Sequence, residues 1–239
     1  MIRQIGYLSV VAGTLAFASS AFAQTYQMEL TGVGTGVTYG NVYVSPYVGT
    51  ISSGGKTVYT GYLICDDFNT DSTLNSPWTA TASTAASGGK FNGSTFTIGG
   101  STYSSQQMYG AVAYLATQLL GNLGNAQLQT DYSFAIWDIM DGQTTNPYTI
   151  TTGTGTITVS TLIKQAFAAG GAAAASVGVF TASPVNASQE FLVVGGPAVG
   201  GGPSISTPEP VAAGVLGANL VAVLGLLLLM RRRRGSQAA

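Results

Sequence analysis

Histidine is absent from the 239 residues, and cysteine occurs once, at Cys65. The first absence removes Ser-His-Asp and Cys-His nucleophilic catalysis and most zinc sites together. The second rules out an intrachain disulfide, so an exported domain in this chain must hold together without the staple that small secreted folds use. Charge is scarce too: only 7% of residues are Asp, Glu, Lys or Arg, and polarity comes instead from Ser, Thr, Asn, Gln and Gly. Five of the eight basic residues lie near the ends, leaving Lys56, Lys90 and Lys164 against eight acids between Gln24 and Thr207, a net charge of −5. Such a segment has no basic surface for nucleic acid or anionic lipid. Two carboxylates about 5 to 10 Å apart suffice for glycoside hydrolysis, but nothing in the pattern selects a pair. No catalytic residue, cofactor or resident metal is therefore expected.

The ends carry targeting signals. Arg3 gives a short basic start, Ile5 to Phe17 is largely apolar, and Ala21-Phe22-Ala23 is a small-x-small site before Gln24. Those three regions in that order predict a signal peptide over 1–23, with the export translocon and signal peptidase as partners. At the other end, Val211 to Met230 holds no charge and only one clearly polar side chain, Asn219. At ~1.5 Å per residue it covers about 30 Å, enough to span the hydrocarbon of an inner membrane. Arg231, Arg232, Arg233 and Arg234 follow directly, and a basic cluster beside a span stays cytoplasmic, so the preceding domain faces outward. Before the span stand a Gly/Pro-rich linker, 195–207, and then Pro208-Glu209-Pro210. The two prolines lack backbone donors and hold the chain extended just outside the bilayer.

Pro-Glu-Pro, the apolar segment and the terminal arginine cluster resemble the PEP-CTERM sorting signal of Gram-negative bacteria, which is read by an exosortase. The resemblance covers Pro208 to Arg234, leaving 235–239 as a tail. It implies transient anchoring in the inner membrane, cleavage near Pro208 and release to the cell surface or extracellular matrix, alongside exopolysaccharide.

Between the signals, 24–194 is the expected extracytoplasmic domain, of single-domain size. Its first part is strand-like: Val37, Tyr39, Val42, Tyr43, Val44, Val48 and Ile51, then Val58, Tyr59, Tyr62, Leu63 and Ile64, interrupted by Gly, Ser and Pro. Asp66 to Ser104 is polar and reads as a long surface loop with a hairpin at Thr95 to Tyr103. The period then changes. Met108, Ala111, Val112, Leu115 and Leu119 share one helical face, and Leu128, Tyr132, Ala135, Ile136, Ile139 and Met140 another, ending at Gly142. A third helix is expected from near Ser160 to Gly170-Gly171, with returning strands at Thr149 to Val159 and Phe191 to Val194. The expected fold is α+β: a mostly antiparallel sheet with two or three packed helices, flanked by the signal peptide and the C-terminal transmembrane helix.

Two short motifs stand out, Ile64-Cys65-Asp66-Asp67 at a strand end and Phe134-Ala135-Ile136-Trp137-Asp138-Ile139 in a helix. Together they resemble a pattern of PEP-CTERM proteins and, more distantly, the thioester domains of Gram-positive adhesins. There a Cys joins a Gln four residues before the helix Trp. Ser133 occupies that position here and has no amide to condense, which implies a free thiol at Cys65. Asp67-x-Asn69-x-Asp71, with Thr73 next, has the alternating oxygens of a calcium loop but lacks its central Gly and final Glu, since Ser72 and Trp78 stand there. The expected function is a non-enzymatic surface or matrix protein. The alternatives are an adhesin or carbohydrate-binding module, and third a carboxylate-dependent hydrolase.

Overall fold

A computed structural model of the chain describes residues 24–142 and 158–197. The signal peptide with Ala21 and Ala23, the sorting residues Pro208, Glu209, Pro210 and Arg231 to Arg234, and the apolar segment 211–230 lie outside that range, as does 149–157 of the expected strand. Among the described residues no helix is long and apolar enough to cross a membrane.

The architecture is α+β, with antiparallel pairing throughout. Six strands, β1 (Thr25–Gly32), β4 (Tyr47–Ser53), β5 (Lys56–Cys65), β6 (Trp78–Thr84), β9 (Val177–Ala182) and β10 (Phe191–Val194), close into a barrel in the order β1-β4-β5-β10-β9-β6. Two small hairpins, β2 (Thr38–Tyr39) with β3 (Val42–Tyr43) and β7 (Thr95–Ile98) with β8 (Ser101–Ser104), stand outside it. The helices are α1 (Ser105–Leu120), α2 (Ala126–Asp141) and α3 (Val159–Ala169), followed by a 3-10 turn at Gly170–Ser176.

The barrel corrects the expected sheet in two places. The polar stretch 66–104 is more than a surface loop, because β6 lies inside it and closes the barrel between β1 and β9. Strand β9 was not expected at all. Both elements are poor in the alternation that marks a strand: β6 is Trp-Thr-Ala-Thr-Ala-Ser-Thr and β9 is buried along its whole length. Only pairing on both edges makes strands of them. Val159, the end of the expected returning strand, opens α3 instead.

The barrel is filled by rings that reach across it. Tyr26 on β1 meets Phe180 on β9 edge-to-face at 5.4 Å, and Trp78 on β6 lies 5.8 Å from Phe191 on β10. In each pair one strand intervenes along the wall, so the contact runs through the interior. Strand β1 shows the resulting alternation, with Tyr26, Met28 and Leu30 buried between exposed or half-exposed neighbours. Strands β4 and β5 turn back through Gly54-Gly55, both at positive φ (57° and 75°), the backbone of a two-residue hairpin turn that favours glycine.

The helices cover one side. Helix α1 packs on β10 and on the other two helices, and the 3-10 turn packs on β9; β9 and the start of β10 are buried on both faces. It opens with a reciprocal cap: Ser104 Oγ accepts from the Gln107 N–H while Gln107 Oε1 accepts from the Ser104 N–H. Phe167 of α3 stacks on Tyr103 at 3.8 Å, tying the β7–β8 hairpin to the helical layer.

Candidate functional site

The C-terminal end of β5 and the start of β10 lie side by side, with Phe191 opposite Cys65. That pairing brings the Cys-Asp-Asp motif against Glu190, the residue before β10, and builds a buried polar cluster. Cys65, Asp66 and Asp67 are fully buried and Glu190 is 1% exposed.

Glu190 organises the cluster. Its Oε1 accepts from Tyr109 Oη at 2.5 Å, and its Oε2 accepts from the Lys90 backbone N–H at 2.7 Å and from Thr181 Oγ1. Gly89 is what allows this approach, since a Cβ there would fall on Glu190 Oε2 and within 2.7 Å of Thr181 Oγ1. Lys90 then turns its side chain inward: Nζ donates to Asp67 Oδ2 at 2.6 Å and to Thr70 Oγ1 at 2.8 Å. Asp141, at the end of α2, accepts from the Phe68 backbone N–H at 2.6 Å and from Asn69 Nδ2 at 3.0 Å.

One ammonium thus stands among four carboxyl groups. Burial, followed by the charges of Glu190, Asp67 and Asp141, holds the Asp66 carboxyl well above the usual range, and both its oxygens lack a hydrogen-bond partner. Burial likewise raises Glu190, against the hydrogen bonds from Thr181 and Tyr109. Asp141 is pushed up to about 6, again chiefly by burial. Asp66, Asp67 and Glu190 are shut off from solvent, out of reach of a polymeric substrate, while Asp141 is half-buried.

The two sequence motifs do meet here. Trp137 Nε1 donates to the Cys65 carbonyl oxygen at 3.0 Å, and Cys65 Sγ donates to the Asp67 carbonyl oxygen at 3.3 Å. Burial, with the Asp66 charge beside it, pushes the thiol up, away from a reactive thiolate. Ser133 is buried and donates to the Gln129 carbonyl on its own helix. Gln129 spans Leu123 O and Thr35 Oγ1, and Gln127 donates to Asp131. The calcium-like alternation does not converge either: Asp67 is committed to Lys90 and Asn69 to Asp141, while Asp71 is exposed.

Next to this cluster lies an open cleft of about 470 Å³, within the range of small-ligand sites. Tyr43, Tyr47, Phe68 and the edge of Trp137 line it, with Asn41 and Gln189 among its polar groups. Tyr43 is 46% exposed and Leu74 41%, while the Tyr47 hydroxyl donates to the Tyr43 carbonyl at 2.9 Å and fixes the two tyrosines together. Gln189 joins cleft to cluster: its Nε2 donates to the Asp67 carbonyl at 3.0 Å, the same oxygen that the thiol uses. Among the described residues no lysine or arginine lines the cleft, and Asp71 is its one carboxylate.

Sequence reasoning singled out Cys65, Asp66, Asp67 and Trp137 but missed Lys90, Tyr109, Thr181 and Glu190, which lie up to 123 residues from their partners. A lysine flanked by Gly-Gly and a lone acid before an apolar strand are the only local signals. No protein-family model, curated protein or solved structure matches the chain.

Proposed function

We propose that this is an exported surface or extracellular-matrix protein of the PEP-CTERM kind, anchored transiently, processed by an exosortase, and holding a neutral polysaccharide in the cleft beside Tyr43. The observation that carries the saccharide reading is the makeup of that cleft: the exposed ring of Tyr43 and the half-buried rings of Tyr47 and Phe68 beside amide and hydroxyl groups, with no cation among the described residues that line it. Aromatic faces take the apolar C–H face of a pyranose ring, and amides take its hydroxyls. A polyanionic chain would meet Asp71 and a domain of net charge −5 with nothing to neutralise it.

The sorting tail supports the location: Pro208-Glu209-Pro210, the apolar span and Arg231 to Arg234 occur together and in order. A non-enzymatic role fits a chain without histidine whose Asp66, Asp67 and Glu190 are buried under their own hydrogen bonds or under the barrel wall. Retention of the mature protein on the producer's exopolysaccharide, weakened on replacing Tyr43, tests the reading.

A further inference from the structure

The Lys90–Asp67 contact has an unusual setting for an ion pair. The Asp67 side chain is fully buried and that of Lys90 is 16% exposed, and the distance from Nζ to Oδ2 is 2.6 Å. With a C–O length of ~1.23 Å, Nζ lies within about 3.8 Å of Asp67 Cγ, close to the separation of a near-attack geometry. Thr70 Oγ1 and the Gly89-Lys90 backbone, held by Glu190, fix the amine, and the Glu190 N–H at 3.4 Å steadies the same carboxylate oxygen. Asp67 Oδ1 has no hydrogen-bond partner among the described residues.

We propose that Lys90 and Asp67 condense into a side-chain amide, an internal cross-link between Nζ and Cγ. The ammonium first passes a proton to the Asp67 carboxylate along their hydrogen bond, giving a neutral amine and a carboxylic acid, a pair that costs less to bury than two charges. The Nζ lone pair then adds to Cγ. A second proton moves from nitrogen to the hydroxyl oxygen, the C–O bond breaks, and one water leaves. No oxidant, metal or activating group is consumed. Condensation is unfavourable between free molecules in water, but effective molarities of ~10⁵ to 10⁸ M for well-held partners reverse that balance. The product removes one half-buried cation and one buried anion.

The link would do what a disulfide cannot do here, since Cys65 is the only cysteine. It closes the chain around β6, from the end of β5 to the segment just before the β7–β8 hairpin, and so locks the strand that completes the barrel.

The test is the intact mass of the mature protein as produced, together with its tryptic map. The cross-linked protein is lighter than its sequence by one water, resists cleavage after Lys90 and yields one looped peptide, 57–164, that is lighter by one water, since no lysine or arginine lies between Asp67 and Lys90. Lys90→Arg keeps the charge pair but has no amine to condense, so it should fold, by circular dichroism, and show its full sequence mass. Wild-type protein at full mass, cleaved after Lys90 to give the unmodified peptide 57–90, overturns the proposal. So does a missing water that maps elsewhere, such as a cyclised Asp141-Gly142.

Discussion

The indole Nε1 of Trp137 donates to the main-chain oxygen of Cys65 at 3.0 Å, across 72 residues of sequence. That bond pins α2 to the end of β5, where the buried acids begin. Phe68 and Phe134 pack on the same indole, each with ring centroids 5.0 Å away.

Trp137→Phe keeps most of the packing and removes the donor. The Cys65 carbonyl is buried, so leaving it unsatisfied should cost about 1 to 3 kcal/mol. Urea unfolding followed by circular dichroism reads that loss, and a variant as stable as the wild type would show that the bond contributes nothing. In the same experiment the Cys65 thiol should resist a maleimide until the domain unfolds, because it is fully buried and held away from its thiolate.

Stability should fall as pH rises. Asp141, Asp66 and Glu190 all have folded-state values above those of the unfolded chain. Above about pH 4 the unfolded state releases these protons first, so the folded state binds more of them and stability declines. For Asp141 the decline runs from the ordinary carboxylate range to about pH 6, and Asp66 extends it to higher pH. Urea midpoints measured from pH 4 to 8 should therefore drop across the series, and Asp66→Asn should flatten the upper part. Midpoints that climb steadily toward pH 8 would contradict the buried, charge-crowded cluster.

Much of the helical layer was legible because its signal is local. The 3.6-residue period placed all three helices to within a few residues, and Gly142 and Gly170 stand where α2 and α3 end. Even the missed cap of α1 is written locally as Ser104-x-x-Gln107. The barrel was less legible. Its β6 strand is short-chained and polar on its face, and what makes it a strand is the pair of partners at Thr25 to Met28 and Gly178 to Ala182. The cluster was half legible for the same reason. Asp66 and Asp67 are conspicuous in a chain with so few charges, but Lys90 and Glu190 become their neighbours only once β10 pairs with β5.

On the proposed reading, sorting should be separable from folding. Replacing Pro208, Glu209 and Pro210 together with Ala leaves the apolar span unchanged and should leave export intact, with the protein retained in the membrane fraction. Release into the medium as efficient as that of the wild type would refute the exosortase reading. Deleting Arg231 to Arg234 should weaken the cytoplasmic retention of that end, since these are the basic residues flanking the span.

The central claim is that the cleft holds a neutral polysaccharide, and the direct measurement is titration of the mature protein with the producer's purified exopolysaccharide, comparing wild type with Tyr43→Ala. Tyr43 is 46% exposed at the cleft, so its loss should leave the urea midpoint nearly unchanged. An aromatic contact of ~0.5 to 1.5 kcal/mol corresponds to a roughly 2- to 13-fold weaker affinity for the variant. Binding should persist at high salt, as expected for a neutral ligand. Equal binding by both proteins, or no binding by the wild type to any neutral polysaccharide the producer makes, would contradict the account.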